Sequence, residues 1–273
     1  MKPRYKKNRS KNTLRTKVVE KESAERIQKV LARAGLGSRR QIEEWIGQGK
    51  LRVNGKVAQL GDRLRLSDRV ALNGRPVDFA KRINVSTRVL IYYKPTGEVV
   101  TRRDPEGRAV IFTQLPKLKL GRWIAVGRLD INTQGLLLVT NNGELANRLM
   151  HPSHSVEREY MVRILGRPSD SVIQQLKQGV QLEDGLASFG QLSEGRGEGA
   201  NRWFRVTVQQ GRNRIVRRLW ESQGFKVNRL IRVRYGDVVL PERLRPRVFY
   251  ELSDIERATL LESVDMKEIV SSR

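Results

Sequence analysis

Leu136 to Val139 are four consecutive apolar residues, bounded by Gly135 on one side and by the turn signal Asn141-Asn142-Gly143 on the other. A short apolar run between such breakers reads as a fully buried strand. Within the stretch Val126 to Thr140, VGRLDINTQGLLLVT, this reading leaves Asp130 on a loop held by the core, two residues after Arg128. A nearby cation favours the ionised carboxylate, which is the form that nucleophilic and general-base roles require. An Asp in a loop also serves as a turn former or helix cap, so Asp130 alone decides nothing.

With 273 residues, 38% of them apolar, the chain can build one sizeable core and a small second domain. No apolar run approaches the roughly 18 residues that span a bilayer. The basic N-terminus also lacks the apolar segment of a signal peptide, so cytoplasmic residence without membrane contact is the expectation. The absence of cysteine removes disulfides, thiol nucleophiles and thiolate metal sites, and two histidines, His151 and His154, cannot build a zinc cage. No metal is therefore expected, and catalysis falls to Asp, Glu, Lys, Tyr or Ser. A formal charge of +25 is self-repulsion without purpose for an enzyme of small neutral metabolites. The first twenty residues hold eight Lys or Arg against Glu20 alone, and the remainder is basic as well. A basic tail on a basic body is the footprint of a nucleic-acid binder.

Residues 1–22 have no periodicity and are expected to be disordered until they meet RNA or DNA. From there Ile27, Val30, Leu31 and Ala34 mark one face of a helix that Gly35 and Gly37 stop. Ser38, three residues before Gln41, opens a second helix with Ile42, Trp45 and Ile46 as its stripe. Arg39 and Arg40 fall in its first turn, where cations oppose the macrodipole and an anion is favoured. Leu51-Arg52-Val53, Asn54-Gly55 and Lys56-Val57-Ala58 then spell a hairpin with a type I′ turn. Helix, SRR helix and LRVNGKVAQLGDRL together resemble the RNA-binding module first recognised in the small-subunit ribosomal protein four, over about residues 24–72. The resemblance implies that Arg39, Arg40 and Lys56 contact phosphates.

Residues 73–87 read as a linker and Val89 to Tyr93 as a strand. Glu98 to Trp123 reads as an extended, RNA-accessible excursion. Glu144 to Met150 is a short helix, Glu159 to Leu165 a strand, Ser169 to Gly179 a helix, Phe204 to Val208 a strand, and a helix follows from about Asn213. Strands and helices interspersed without a regular repeat point to an α+β fold with a mixed sheet.

Four segments belong together: YYKPTGEVVT (Tyr92 to Thr101), GRLD (Gly127 to Asp130), REY (Arg158 to Tyr160) and GRNRIVRRL (Gly211 to Leu219). In this order and spacing they resemble the motifs of the pseudouridine synthases, specifically the RsuA family, which modifies ribosomal RNA and carries the same N-terminal module. The likeness covers about residues 24–255, and VGRLDINTQGLLLVTNNGELANRLMHPS resembles most the members acting on large-subunit ribosomal RNA. It implies a small S4-like domain joined to a catalytic domain with a mixed, mainly antiparallel sheet. It also implies isomerisation of a uridine without any cofactor.

By the resemblance Asp130 is the nucleophile, toward ribose C1′ or base C6, or the group that assists a glycal-like species. Arg217 pairs with it and keeps it charged in an apolar pocket. Tyr160 stacks on the base and relays the proton lost after rejoining. Arg128 orients the flipped nucleotide, Val216 packs against the pocket, and Arg158, Arg214 and Lys94 contact substrate. Many relatives have Lys at the position of Arg158, which keeps the charge. A base in a hairpin must be extruded to reach such a site.

The domain expectation is a tail over 1–22, the S4-like domain and linker over 23–84, the catalytic domain over 85–255, and an acidic C-terminal tail over 256–273, working as a monomer. A non-enzymatic RNA-binding factor accounts for the charge but not for GRLD, REY and GRNRIVRRL. A synthase acting on another ribosomal uridine stays open, because substrate choice lies in surface contacts to folded RNA. A DNA-binding regulator wants a recognition helix and a dimer seam, and neither is visible.

Overall fold

The computed structural model describes residues 24–83, 85–195 and 200–267; the basic tail expected over 1–22 lies outside them. The N-terminal unit packs helices Ile27–Arg33 and Arg39–Gly47 against a four-stranded antiparallel sheet, which contains Leu51–Val53, Lys56–Val57, Val70–Leu72 and Arg75–Val77. Ser38 caps the second helix, its hydroxyl accepting from the Gln41 amide at 3.0 Å. Asn54 and Gly55 both take positive φ, 49° and 83°, as the type I′ hairpin requires. Ile27, Leu31, Ile42 and Leu51 form the core of this unit together with Phe79. Phe79 is only 2% exposed, and Val77 and Ile83 pack beside it, so the stretch expected as a linker over 73–87 is in large part domain core. The charged residues around Phe79 hid a three-residue apolar face.

The second unit is built on one sheet of nine strands. Its main strands are β1 (Val89–Lys94), β2 (Gln134–Thr140), β3 (Arg158–Leu165), β4 (Leu192–Glu194), β5 (Asn201–Val208), β6 (Val227–Tyr235) and β7 (Phe249–Glu251). They run in the order β4-β5-β3-β6-β2-β1-β7, and β2 with β6 is the parallel pair while the remaining pairs are antiparallel. All seven residues of β2 are buried, as expected for an apolar run in the centre of a sheet. Gly135 is required where β2 meets β6. Its φ is +107°, and a Cβ there would lie 2.3 Å from the carbonyl oxygen of Arg232.

Two expectations are corrected by packing. The Glu98 to Trp123 segment is no loose excursion, since Ile111, Leu115 and Trp123 are buried against Tyr92, Leu129 and Leu137. The acidic segment from Glu256 belongs to helix Asp254–Glu262, which Ser253 and Glu256 close with a capping box. Leu260, Leu261 and Val264 bury against Val89, Leu136 and Leu145, so through Val264 this is core and not tail. Its acids face water while its leucines face the sheet, and a charge count sees only the acids.

Candidate active site

The loop between Asp130 and Thr133 has all four of its carbonyls taken. The Asp130 carbonyl accepts from the Thr133 amide at 3.0 Å and from Lys94 Nζ at 3.0 Å. Ile131 accepts from the Gly97 amide at 2.8 Å, Asn132 from Arg217 Nη2 at 3.0 Å, and Thr133 from Lys94 Nζ at 2.9 Å. Backbone fixed by donors from two other segments, Lys94 to Gly97 and Arg217, and by its own Thr133 amide holds the attached side chain in one place. Among the described residues the Asp130 carboxylate itself accepts no hydrogen bond and forms no ion pair within 4.0 Å.

That carboxylate, half-buried, faces a cleft of about 610 Å³ whose lining includes Arg128, Arg158, Tyr160, Arg214 and Val216. Five of the residues proposed from sequence to bind or process a nucleotide thus share one wall system with Asp130. Arg158, from the start of β3, donates to the Gln209 carbonyl at 2.5 Å and to the Tyr235 hydroxyl at 3.1 Å, and its guanidinium lies 5.0 Å from the Tyr235 ring. Tyr160, also on β3, is half-buried between two apolar clusters and keeps one side toward the cleft. Arg214 takes left-handed backbone, φ 49°, just before helix Ile215–Glu221, which presents Ile215 and Val216 to the cleft. The N-terminal residues Arg39, Arg40 and Lys56 are exposed on the other unit and do not line this cleft.

Two expectations about contacts are corrected. Lys94 is fully buried, and its ammonium is consumed by the carbonyls of Pro95, Asp130 and Thr133, so it supports the loop from beneath and does not touch a ligand in the cleft. Burial pushes its pKa down to about 8 against the opposing pull of Glu98 and Asp130. Arg217 is buried as expected but does not pair with the Asp130 carboxylate; its Nη1 donates to the Val227 carbonyl at 2.9 Å and its Nη2 to that of Asn132. Burial lowers its pKa, Arg214 adds to that, and Asp130 and Glu221 oppose it through space. A buried guanidinium needs acceptors, and carbonyls near the carboxylate met that need.

Arg232 was missed. It is 3% exposed, lines the cleft from β6, donates from Nε to the Leu136 carbonyl at 2.7 Å, and keeps a buried Nη2 without a partner. In VNRLIRVRY three arginines, Arg229, Arg232 and Arg234, fall among apolar residues, and nothing in that pattern marks Arg232 as the buried one. Among the described residues no three His, Cys, Asp or Glu side chains are grouped to hold a metal ion.

A fixed and unpartnered carboxylate beside an aromatic ring, in a cleft rimmed by arginines, suits nucleophilic work on a planar, anionic polymer unit. Residues 88–222 match the family described as RNA pseudouridylate synthase, and residues 25–70 match the S4 domain. The chain is 52% identical over 257 residues to a ribosomal large subunit pseudouridine synthase B of Haemophilus influenzae, spanning 93% of this chain and 72% of that one. It is likewise 55% identical over 239 residues to the protein of that name from Yersinia pestis, spanning 87% and 75%. The solved crystal structure of a pseudouridylate synthase shares the fold with TM-score 0.60 at 24% identity, over 86% of this chain and 99% of that one. The chain belongs to the RNA pseudouridylate synthases, with an S4 domain ahead of the catalytic one.

Proposed function

We propose that the chain converts a uridine of large-subunit ribosomal RNA to pseudouridine, with Asp130 as its nucleophile. The carrying observation is that the Asp130 carboxylate has no protein partner in the described structure while every carbonyl of its loop is held. The name that these relatives carry, ribosomal large subunit pseudouridine synthase B, supports the large subunit as the source of the RNA. Asp130 bonds either to ribose C1′, displacing N1, or to base C6 before the N1–C1′ bond breaks; the freed uracil turns, the C5–C1′ bond forms, and the bond to Asp130 breaks so that the carboxylate is regenerated. The C5 proton leaves and N1 takes one up, so no redox partner is involved. Tyr160 stacks on the extruded base and its phenol relays the C5 proton. Arg128, Arg158 and Arg214 supply the positive rim for the flanking phosphates, and Val216 supplies apolar surface against the base. Extrusion costs a few kcal/mol, which favours loop or weakly paired uridines.

Lys94 and Arg217 act as positioning residues, since both reach the reacting group only through its backbone. We assign the work to a single chain in the cytoplasm, where the ribosomal RNA named for its relatives is met. No described helix is long and apolar enough to cross a membrane. Incubating the protein with an in vitro transcript of large-subunit RNA and mapping with a pseudouridine-selective chemical stop tests the reading. A stop at one uridine is expected. Conversion confined to small-subunit RNA, or none in any ribosomal RNA, overturns it.

A further inference from the structure

The two units meet closely. Gly35 of the first sits against the backbone of Gly121 of the second, so that a Cβ on Gly35 would lie 2.4 Å from the Gly121 Cα. Lys29 and Glu144 close the same seam at 3.2 Å. Beside this contact lies a second cavity of about 310 Å³, lined by Arg33, Arg39, Arg40 and Arg122 from the two units, and Met150 borders both this cavity and the Asp130 cleft.

The charges around this cavity do not balance. Its one carboxylate, Glu144, is already bound to Lys29 at 3.2 Å and Arg148 at 3.4 Å, and Arg33 is met by Glu25 at 2.8 Å. Arg39, Arg40 and Arg122 have no carboxylate within 4.0 Å among the described residues. Arg122 is half-buried, with an enclosed Nε that finds no hydrogen-bond partner. Burial lowers its pKa, and the neighbouring Arg102 adds repulsion. Arg102 in turn stacks 4.6 Å from the Phe112 ring, which lines the Asp130 cleft. A row of uncompensated guanidiniums thus runs from the cleft wall across the seam to the first turn of helix Arg39–Gly47. Arg102 is already held by the Phe112 ring and the Trp123 carbonyl, whereas Arg39, Arg40 and the enclosed Arg122 Nε leave donors that an anion at the seam would engage.

We propose that the substrate strand leaves the cleft across this seam, where Arg122 of the catalytic unit and Arg39 and Arg40 of the S4 unit grip a common phosphodiester of it. The inference rests on the reading above that the substrate is RNA. It makes Arg122 an RNA-binding residue outside both the catalytic cleft and the S4 hairpin, and it makes the seam itself part of the recognition surface.

The test is a salt titration of binding to the large-subunit transcript by the full chain, its Arg122→Gln, Arg39→Gln and double variants, Arg122→Lys, and Lys177→Gln on an exposed helix away from the seam as control. Losing a phosphate contact to single-stranded RNA flattens the slope of log affinity against log salt by about 0.7. Because three guanidiniums share that phosphate, Arg122→Gln and Arg39→Gln are each expected to lose part of that slope and measurable affinity, with recovery in Arg122→Lys, and the double variant should lose less than the product of the single losses. Arg122→Gln behaving like Lys177→Gln, Arg122→Lys losing as much as Arg122→Gln, or fully multiplicative losses each overturn the proposal. Conversion of the transcript by the unsubstituted chain is scored in parallel. Failure there sinks the functional reading, whereas the seam is judged on binding alone.

Discussion

Arg217 Nη2 donates to the carbonyl of Asn132 at 3.0 Å, while Nη1 of the same guanidinium reaches Val227 at the start of β6 at 2.9 Å. One fork thereby ties the loop of Asp130 to the strand that forms the floor of the cleft. Arg217→Gln should leave RNA affinity within about threefold and lower kcat on the order of a hundredfold through misplacement of the nucleophile. Arg217→Lys should not restore it, because one ammonium cannot span both carbonyls in the fork geometry. Single-turnover kinetics check the rate. Faster hydrogen exchange at the Thr133 amide, now held by Asp130, checks the cause.

Lys94 gives opposite pH trends for stability and rate. Its folded pKa of about 8 lies below the ordinary 10.5, so between those values the unfolded chain binds more protons and this group's contribution to stability rises with pH. The cost of burying its charge is present below about pH 8 and relieved above it. The neutral amine, however, has two hydrogens for three carbonyls, so the Asp130 loop loosens. Thermal melts and kcat taken from pH 7 to 9.5 should show activity falling through about 8 with no matching loss of stability from this group. A flat kcat over that range contradicts the role given to Lys94.

Gly135→Ala should be among the most damaging small substitutions in the chain. The added methyl meets backbone of Arg232 at 2.3 Å in a conformation, φ +107°, that L side chains avoid. A loss on the order of 3 kcal/mol or more is expected by urea unfolding. The parallel β2–β6 pair cannot open to make room without moving Asp130.

Tyr160→Phe separates stacking from proton transfer. The ring is kept, so KM should change little, while loss of the phenol should lower kcat by roughly 10²-fold or more. Tyr160→Ala should lower affinity as well, since base stacking is worth about 1–3 kcal/mol. Equal kinetics for Phe and Tyr would remove the proton relay from the mechanism.

Much of this was legible in the residues. Leu136 to Val139 announced β2, Asn54-Gly55 announced the hairpin, and Ser38 and Ser169 announced the helix starts they cap. The order of GRLD, REY and GRNRIVRRL also brought Asp130, Tyr160 and Val216 to one cleft. Strand β6 was not legible as a strand, because Arg229, Arg232 and Arg234 break its apolar rhythm. Arg232 is nonetheless buried, held by the Leu136 carbonyl and lying 5.1 Å from the Tyr235 ring, and no periodicity encodes such a partner. The link between Arg217 and Asp130 was read in the right neighbourhood but on the wrong atom. Spacing brings a guanidinium to a loop and does not tell a carboxylate from a carbonyl two residues on.

The most direct measurement is pseudouridine formation by Asp130→Asn, which keeps the size of the side chain and all four anchored carbonyls of the loop. No pseudouridine should form in large-subunit transcript over many wild-type turnover times, with RNA affinity within about twofold of the parent. Conversion at the parent's rate would contradict the placement of Asp130 as nucleophile.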